Sequence, residues 1–410
     1  MSLTTAATPL SGARAALIFL GFALAYFLSA LLRAVTATLA PIFSSELGLR
    51  AADLGLLAGA YFFGFAIMQL PLGAALDRFG PRHVVASLLV MAALGCVGFA
   101  TADTLLGLIA ARAVIGVGVA ACLMGPLTWF RRAFTVHTQL RMNSWMLMTG
   151  SLGMVASTVP VQSVMPLWGW RGLFLVLAGC LAGAILLILW LVPDEDSGSQ
   201  CHGAERVSYW QIALDPTFRS LAPLGFVVYG GLIAVQSLWA GPWLTRVAGW
   251  SPAMAAEGLF GINCSMLIAF AVWGSVMPGL ARRGVTAGRL MAGGLPMSLI
   301  MLAIIVALGQ SASAWHWAAW CVSTTVVTLS QPAVGHMFAR HVAGRALSAF
   351  NLIIFSGVFA LQWGIGLVID GLVACGWRDE QAFQLAFCLF ALACAAAYGW
   401  YLWARPRECR

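Results

Sequence analysis

The sequence predicts an all-α integral membrane protein with twelve transmembrane helices in two pseudo-symmetric six-helix bundles. Of its 410 residues, 61% are hydrophobic and only 9% are charged, and the mean hydropathy is +0.91. Soluble domains carry about 25% charged residues, so a water-soluble globule of this composition could not cover its surface. The apolar residues also fall into about twelve runs of membrane-spanning length, and the two halves of the chain repeat each other.

Each apolar run is long enough to cross a bilayer, which requires about 20 residues of helix. The first run is too long for the apolar core of a secretory signal peptide, so we expect it to remain as a spanning helix. The runs cover residues 15–43, 52–75, 83–102, 104–129, 143–166, 171–193, 220–244, 255–280, 286–309, 315–337, 346–370 and 381–404.

The division into two bundles follows from the longest polar stretch and from an internal repeat. We expect residues 1–193 to form one bundle, 194–219 a linker, and 220–410 the other bundle. Several short patterns recur about 200 residues apart, as expected for the duplicated halves found in many transporters. The matched pairs are Ala51-Ala52-Asp53 with Ala255-Ala256-Glu257, Gly73 with Gly274, Asn143 with Asn351, and Gly169-Trp170-Arg171 with Gly376-Trp377-Arg378.

The distribution of arginine predicts the orientation, because basic residues accumulate in cytoplasmic loops. All 22 basic residues are arginine, and sixteen of them fall on one side of a twelve-span arrangement, against four on the other. An odd number of spans would destroy this agreement. Both termini and the linker are therefore expected to be cytoplasmic. Exclusive use of arginine, with abundant alanine and glycine, is typical of a GC-rich bacterium, so the expected location is a bacterial inner membrane.

The sequence lacks the signatures of several other protein classes. Its net charge of +8 is dispersed between apolar runs and forms no basic stripe with interleaved aromatics, as nucleic-acid binding would require. There is no lysine, hence no Walker A motif, and no G-x-S-x-G or H-E-x-x-H motif. The ten cysteines form no C-x-x-C pair. We therefore expect no enzymatic activity, cofactor, resident metal or nucleic-acid partner.

Two motifs carry a resemblance to a known family. The loop after the second run reads Gly73-x-x-x-Asp77-Arg78-x-Gly80-x-Arg82, and the fourth run contains Arg112-x-x-x-Gly116-x-Gly118. Both patterns resemble motifs of the major facilitator superfamily, and the resemblance covers nearly the whole chain. It implies a monomeric secondary transporter of small solutes, in which two bundles rock around a central site and open it to each membrane side in turn.

The resemblance also implies a gate. In that family the loop between the second and third helices packs against the other half and latches the outward-open state. The implied gating residues are Gly73, Asp77, Arg78, Gly80 and Arg82. The alternative is that these charges only set the topology. Drug exporters of the family carry Gly-x-x-x-Gly-Pro-x-x-Gly-Gly in the fifth span, whereas residues 150–160 lack both the Gly-Pro and the Gly-Gly pair. This departure disfavours proton-driven drug efflux.

Polar side chains inside predicted spans are costly in lipid and mark candidate substrate contacts. Residues three, four or seven apart share one face of a helix, and the resemblance makes spans 1, 4, 7 and 10 the helices that line the cavity. The candidate substrate-binding residues are Tyr26, Ser29, Arg33, Arg112, Tyr229, Gln236, Trp239, Trp320, Thr324, Thr328 and Gln331. Ordinary helix packing is the alternative for each of these stripes.

The position of the carboxylates suggests the substrate class. No Asp or Glu lies in the middle of a predicted span, and the candidates for ion coupling, Asp53, Glu257 and Asp370, lie at span ends. Arg33 therefore has no mid-span carboxylate as a partner, unless it reaches Asp53 or Asp370 or bonds backbone carbonyls. Because a guanidinium binds carboxylate or phosphate in bidentate geometry, we expect a small organic anion as the substrate.

Three other functions remain open from the sequence. One is export of drugs or metabolites coupled to protons. A second is a copper carrier, because the thioethers of Met142, Met146, Met148 and Met154 cluster near the fifth span and soft sulfur ligands suit Cu(I). A third is a channel or a membrane receptor, although duplicated halves favour a carrier.

Overall fold

The computed structural model describes residues 12–134, 136–193, 209–338 and 340–405, and within these ranges the chain is helical and contains no strand. Nine helices in this part of the chain are long and apolar enough to cross a membrane. The predicted linker and the chain ends lie largely outside the described residues. So do some of the arginines behind the predicted topology, such as Arg206 and Arg407.

Two glycines divide helices that otherwise run on without a gap. Gly80 has φ +74° within Ala51–Thr101, and Gly169 has φ +60° within Val159–Leu191. Glycine adopts positive φ readily because it lacks a Cβ, so each position lets the chain turn from one span into the next. Most of the predicted loop around Asp77 is therefore helical, and only Gly80 departs from helical geometry.

With these divisions the described chain forms twelve spans, and each contains the predicted apolar run to within two residues. They are α1 Gly12–Leu47, α2 51–79, α3 81–101, α4 105–133, α5 136–168, α6 170–191, α7 Pro216–Val247, α8 Pro252–Arg282, α9 Ala287–Leu308, α10 314–337, α11 Arg340–Ala374 and α12 Asp379–Ala404. A short helix, Tyr209–Leu214, precedes α7. Asp215 then caps α7 by accepting hydrogen bonds from the backbone N–H groups of Thr217 and Phe218.

Irregular turns are concentrated in two helices of the second half. Three π-helical stretches interrupt α7, at Leu224–Tyr229, Val235–Trp239 and Trp243–Val247, and a 3₁₀ stretch interrupts α10 at Thr325–Leu329. Such stretches are often found at functional sites. They occur in the same pair of helices that the family resemblance implies as the lining of the cavity in the second half.

Glycines allow α4 to cross its neighbours at backbone distance. A Cβ on Gly116 would overlap the carbonyl oxygen of Tyr61 on α2, and one on Gly118 would overlap the backbone of Ala92 on α3. The absence of side chains at these two glycines therefore permits close helix approach. The crossing fixes Arg112, one helical turn before Gly116, against the interior of the first half.

The two halves meet along a seam between residues 51–66 of α2 and 355–370 of α11. A Cβ on Gly55 would overlap the carbonyl oxygen of Gln362, and one on Gly366 would lie 2.5 Å from the carbonyl oxygen of Ala51. Further along, the rings of Phe65 and Phe355 are 4.5 Å apart. Because the backbones are in contact at these two glycines, α2 and α11 pack closely along this seam.

Polar contacts reinforce the same seam at the end where α2 begins. The two carboxylate oxygens of Asp370 accept hydrogen bonds from the backbone N–H groups of Ala51 and Ala52, at 3.1 and 2.9 Å. Nearby, Nη2 of Arg246 on α7 donates to Oγ of Ser44 on α1 at 2.7 Å. A carboxylate of the second half thus caps the N-terminus of a helix in the first half, where the helix dipole favours negative charge.

Candidate substrate site

Arg33 lies on α1, between the two halves of the molecule. Its guanidinium carbon is 6.0 Å from the ring centroid of Phe65, and the hydroxyl groups of Tyr26, Tyr61 and Tyr229 interact with the charge electrostatically. Its Nε atom is buried and has no hydrogen-bond partner. No carboxylate of the described chain pairs with it, because Asp370 is engaged at the seam and Asp53 accepts from the N–H of Arg50.

Arg112 on α4 is a second cation in the same region. Its side chain is fully buried, and Nη1 donates to the carbonyl oxygen of Leu32 at 2.8 Å. Nε and Nη2 are buried without a partner. Since Leu32 directly precedes Arg33, this bond ties the second arginine to the backbone that carries the first. The described residues give this pair of like charges no acidic neighbour.

Tyr61 connects the two arginines, although it is not among the substrate-binding residues predicted from the sequence. The guanidinium carbon of Arg112 lies 5.1 Å from the Tyr61 ring centroid, and the Tyr61 hydroxyl donates to the carbonyl oxygen of Ser29 at 3.1 Å. The same hydroxyl interacts with Arg33. Tyr61 lies mid-span and is one of only six tyrosines in the chain, a signal that could have identified it.

The second half contributes a polar network. The Tyr229 hydroxyl on α7 lies 3.4 Å from Oε1 of Gln331 on α10, and Nε2 of Gln331 donates to Oδ1 of Asn351 on α11 at 2.6 Å. Because Tyr229 also interacts with Arg33, the network joins three helices of the second half to α1. The structure therefore brings Tyr26, Arg33, Arg112, Tyr229 and Gln331 into one region.

Other predicted substrate residues pack elsewhere. Trp239 is buried against Phe383 of α12, with ring centroids 6.0 Å apart, and Trp320 is buried against Phe390 of the same helix, with ring centroids 6.3 Å apart. Gln236 donates to Asn263 on α8 at 2.8 Å. The hydroxyls of Thr324 and Thr328 donate to carbonyls of their own helix. Ser29, by contrast, is buried near the arginines, where its carbonyl accepts from Tyr61. For these six residues substrate contact stays a prediction.

The residues of the implied gate make contacts within the first half. Nη2 of Arg82 donates to the carbonyl oxygen of Leu189, near the end of α6, at 2.6 Å. The guanidinium carbon of Arg78 lies 5.1 Å from the adjacent Phe79 ring centroid, and Gly73 borders open space. A latch from Asp77 and its neighbours to the second half stays a prediction.

The three coupling candidates have different surroundings. Asp53 is a helix cap, because Oδ2 accepts from the Arg50 N–H at 3.0 Å. Glu257 is exposed on α8. Asp370 alone bridges the two halves, by capping α2. Asp53 lies eight residues, roughly 12 Å along α2, from Tyr61, so it is separated from the arginine site.

Comparison with known proteins identifies the family. The sequence profile of the Major Facilitator Superfamily matches residues 22–362. The chain belongs to the major facilitator superfamily. A probable sulfoacetate transporter of Cupriavidus necator is 29% identical over 193 residues, 45% of this chain and 44% of that protein. A probable L-galactonate transporter of Escherichia coli is 25% identical over 201 residues, 47% of this chain and 42% of that protein. The chain thus matches less than half the length of either relative.

Solved structures of this superfamily share the fold. A bacterial homologue of the human lysosomal transporter Spinster, in an inward-facing and occupied conformation, gives a TM-score of 0.77 at 17% identity and covers 97% of both chains. Together with the family match, this confirms the predicted twelve-helix, multi-pass architecture. Membership in a superfamily of membrane transporters also confirms the prediction that the chain is not an enzyme.

Proposed function

We propose that this protein is a secondary transporter that carries a small organic anion across a bacterial inner membrane, as a monomer, by alternating access. The observation that carries the proposal is the half-buried guanidinium of Arg33, which no described carboxylate neutralises. Insertion scales put the cost of an arginine at the centre of a spanning helix at about 2.5–3.5 kcal/mol. An anion that enters from solution would supply the missing counter-charge and offset that cost.

The neighbours of Arg33 suit a carboxylate or a sulfonate. A guanidinium presents parallel N–H donors that bind two oxygens at once, and such charge-assisted bonds are stronger than neutral ones. Tyr26 and Tyr229 bring hydroxyl groups from α1 and α7, which can donate to the remaining oxygens or to hydroxyls of the solute. Because these groups come from both halves, a bound anion would contact both rocking units.

The named relatives support an anion on independent grounds. Sulfoacetate carries a sulfonate and a carboxylate, and L-galactonate carries a carboxylate, so the substrates in both names are anionic. Copper transport is less well supported, because Met142 and Met146 are buried whereas Met148 is 49% exposed, so the methionines do not converge on one point.

The seam supports the alternating-access part of the proposal. The contacts of Asp370, Gly55 and Gly366 close the molecule at the end where α2 begins. The arginine tally puts this end on the extracytoplasmic side. We infer a state closed to the outside, from which opening must break the hydrogen bonds between Asp370 and α2.

A solute panel tests the proposed substrate class. Sulfoacetate and L-galactonate are expected to raise the melting temperature of the purified protein in detergent, because each would pair with Arg33. D-xylose and a dicationic dye serve as neutral and cationic controls. Proteoliposomes loaded with the stabilising anion should then show saturable counterflow. Stabilisation by the dye or the sugar alone would contradict the anion proposal and favour one of its alternatives.

Cysteine labelling tests the proposed topology. In a variant without native cysteines, Ser199→Cys in the linker should resist an impermeant thiol reagent added to intact cells. Ser251→Cys, in the exposed turn between α7 and α8, should react under the same conditions and is the matched control. Labelling at Ser199 without labelling at Ser251 would invert the orientation.

A further inference from the structure

A groove opens on the surface of the second half, away from Arg33. It lies between α8 and α9 with α10 as its floor, and its volume is about 360 Å³. Its walls are apolar apart from one cation and one hydroxyl. The lining residues on which the inference depends are Trp273, Arg289, Gly293, Gly294, Met297 and Val326. We call this feature the α8–α9 groove.

Two consecutive glycines produce the depth of the groove. A Cβ on Gly293 would meet no atom within 4 Å, so the missing side chain leaves open space on α9. A Cβ on Gly294 would lie 3.2 Å from Val326, so this glycine sets the close approach of α9 to α10. On the opposite wall, the indole N–H of Trp273 donates to Oγ1 of Thr325 at 2.8 Å. The polar atom of that tryptophan is thereby satisfied.

The groove faces the hydrocarbon of the membrane. Met297, on its wall, is 55% exposed, and Ile300, three residues further along α9, is 54% exposed. Large apolar side chains this exposed on a spanning helix contact lipid tails, because water would leave them unfavourably hydrated. An acyl chain therefore matches the walls of the groove.

The mouth of the groove carries positive charge. Arg289 is exposed in the first turn of α9, Arg282 ends α8, and Arg283 follows it in the short turn between the two helices. The sequence contains no Asp or Glu between Glu257 and Asp370, and in the described chain no carboxylate pairs with Arg289. A bound anion would supply a counter-charge to Arg289 at this mouth.

Spacing along α9 joins the two features. Arg289 and Gly293 are one helical turn apart, roughly 6 Å along the axis. When a lipid phosphate binds Arg289, the acyl chain of that lipid therefore begins at the open space beside Gly293. Basic pockets between spanning helices on the cytoplasmic side are known to hold anionic lipid headgroups. We propose that the α8–α9 groove binds one anionic phospholipid, with its phosphate at Arg289 and one acyl chain beside Gly293.

Lipid retention in native mass spectrometry tests the site. Detergent-purified protein is titrated with phosphatidylglycerol, and the lipid-bound fraction is measured for Arg289→Gln and Gly293→Leu. Gly293→Leu fills open space and leaves the charge in place, whereas Arg289→Gln removes the charge and leaves the groove. Arg289→Gln should bind one lipid roughly fivefold more weakly, as expected for one arginine at an anionic surface. Gly293→Leu should also bind the lipid more weakly, because its side chain occupies the space of the acyl chain.

Matched variants separate this site from general lipid adhesion. Arg131→Gln removes an exposed arginine at the end of α4, and Gly179→Leu fills open space on the lipid-facing side of α6. Both should bind phosphatidylglycerol like the unaltered protein. Equal binding by all four variants would overturn the site. Equal binding of phosphatidylethanolamine and phosphatidylglycerol would overturn the role of Arg289, and binding of glycerol phosphate alone would overturn the role of the acyl chain.

Discussion

Replacing Arg33 with glutamine is expected to weaken binding of organic anions strongly, and replacing it with lysine should retain more of that binding. Glutamine keeps hydrogen-bonding capacity but removes the charge, and a hydrogen bond to a charged group contributes about 1.5–3 kcal/mol. The dissociation constant should therefore rise roughly 10- to 100-fold. Lysine keeps the charge but not the bidentate fork, so a smaller loss is expected. Titration of purified protein with the anion identified by the solute panel measures both.

Two comparisons make the Arg33 result specific. Arg131→Gln removes an exposed arginine at the end of α4 and should leave anion affinity unchanged. Tyr229→Phe removes one hydroxyl near Arg33 and should weaken binding less than Arg33→Gln, because the charge remains. If Arg33→Gln and Arg33→Lys bind the anion as well as the unaltered protein, the guanidinium does not recognise substrate. The unpaired charge would then need a structural explanation.

Removing the carboxylate of Asp370 is expected to open the seam between the halves. Asp370→Ala leaves the N–H groups of Ala51 and Ala52 without acceptors and removes a negative charge from the N-terminus of α2. Losing a helix cap costs about 1 kcal/mol and the dipole interaction about 0.3–1 kcal/mol. The population open at this end should therefore rise roughly 10- to 30-fold.

The reporter for this change is a cysteine at Ser44 on α1, whose hydroxyl accepts from Arg246 of the other half. In a cysteine-free background, Ser44→Cys should react several-fold faster with a thiol reagent when Asp370 is alanine. Asp53→Ala is the matched control, because Asp53 caps the same helix by accepting from Arg50 of its own half. It should lower stability without changing the labelling rate. If both substitutions increase the labelling rate equally, the N-terminus of α2 frays in each variant, and the contact of Asp370 does not hold the two halves closed.

Hydropathy and charge were enough to predict the membrane environment, the twelve spans and the unusual position of Arg33. These features are local, because a run of apolar residues selects a helix in lipid whatever its neighbours are. The role of Gly116 and Gly118 in helix packing also follows from the sequence, since small residues at that spacing on a spanning helix allow close approach of another helix. What these patterns do not contain is the identity of the partner helix.

The seam shows what required the tertiary structure. From sequence, Asp53 and Asp370 are equivalent carboxylates at span ends, yet one caps its own helix and the other caps a helix of the opposite half. The difference arises because Gly55 and Gly366 let α2 and α11 approach at backbone distance, which brings Asp370 within reach of Ala51. No local pattern specifies that contact between residues more than 300 positions apart.

The candidate site divides in the same way. The sequence by itself determined that Arg33 and Arg112 are charges inside spans, because the apolar residues on both sides of each arginine form a membrane-spanning helix. Only the tertiary structure decided that Tyr61 lies between them and that Tyr229 joins them from the other half. It also placed Trp239 against α12, away from these charges. A polar or aromatic stripe shows that a helix face avoids lipid, but helix rotation and crossing decide whether that face meets a cavity or another helix.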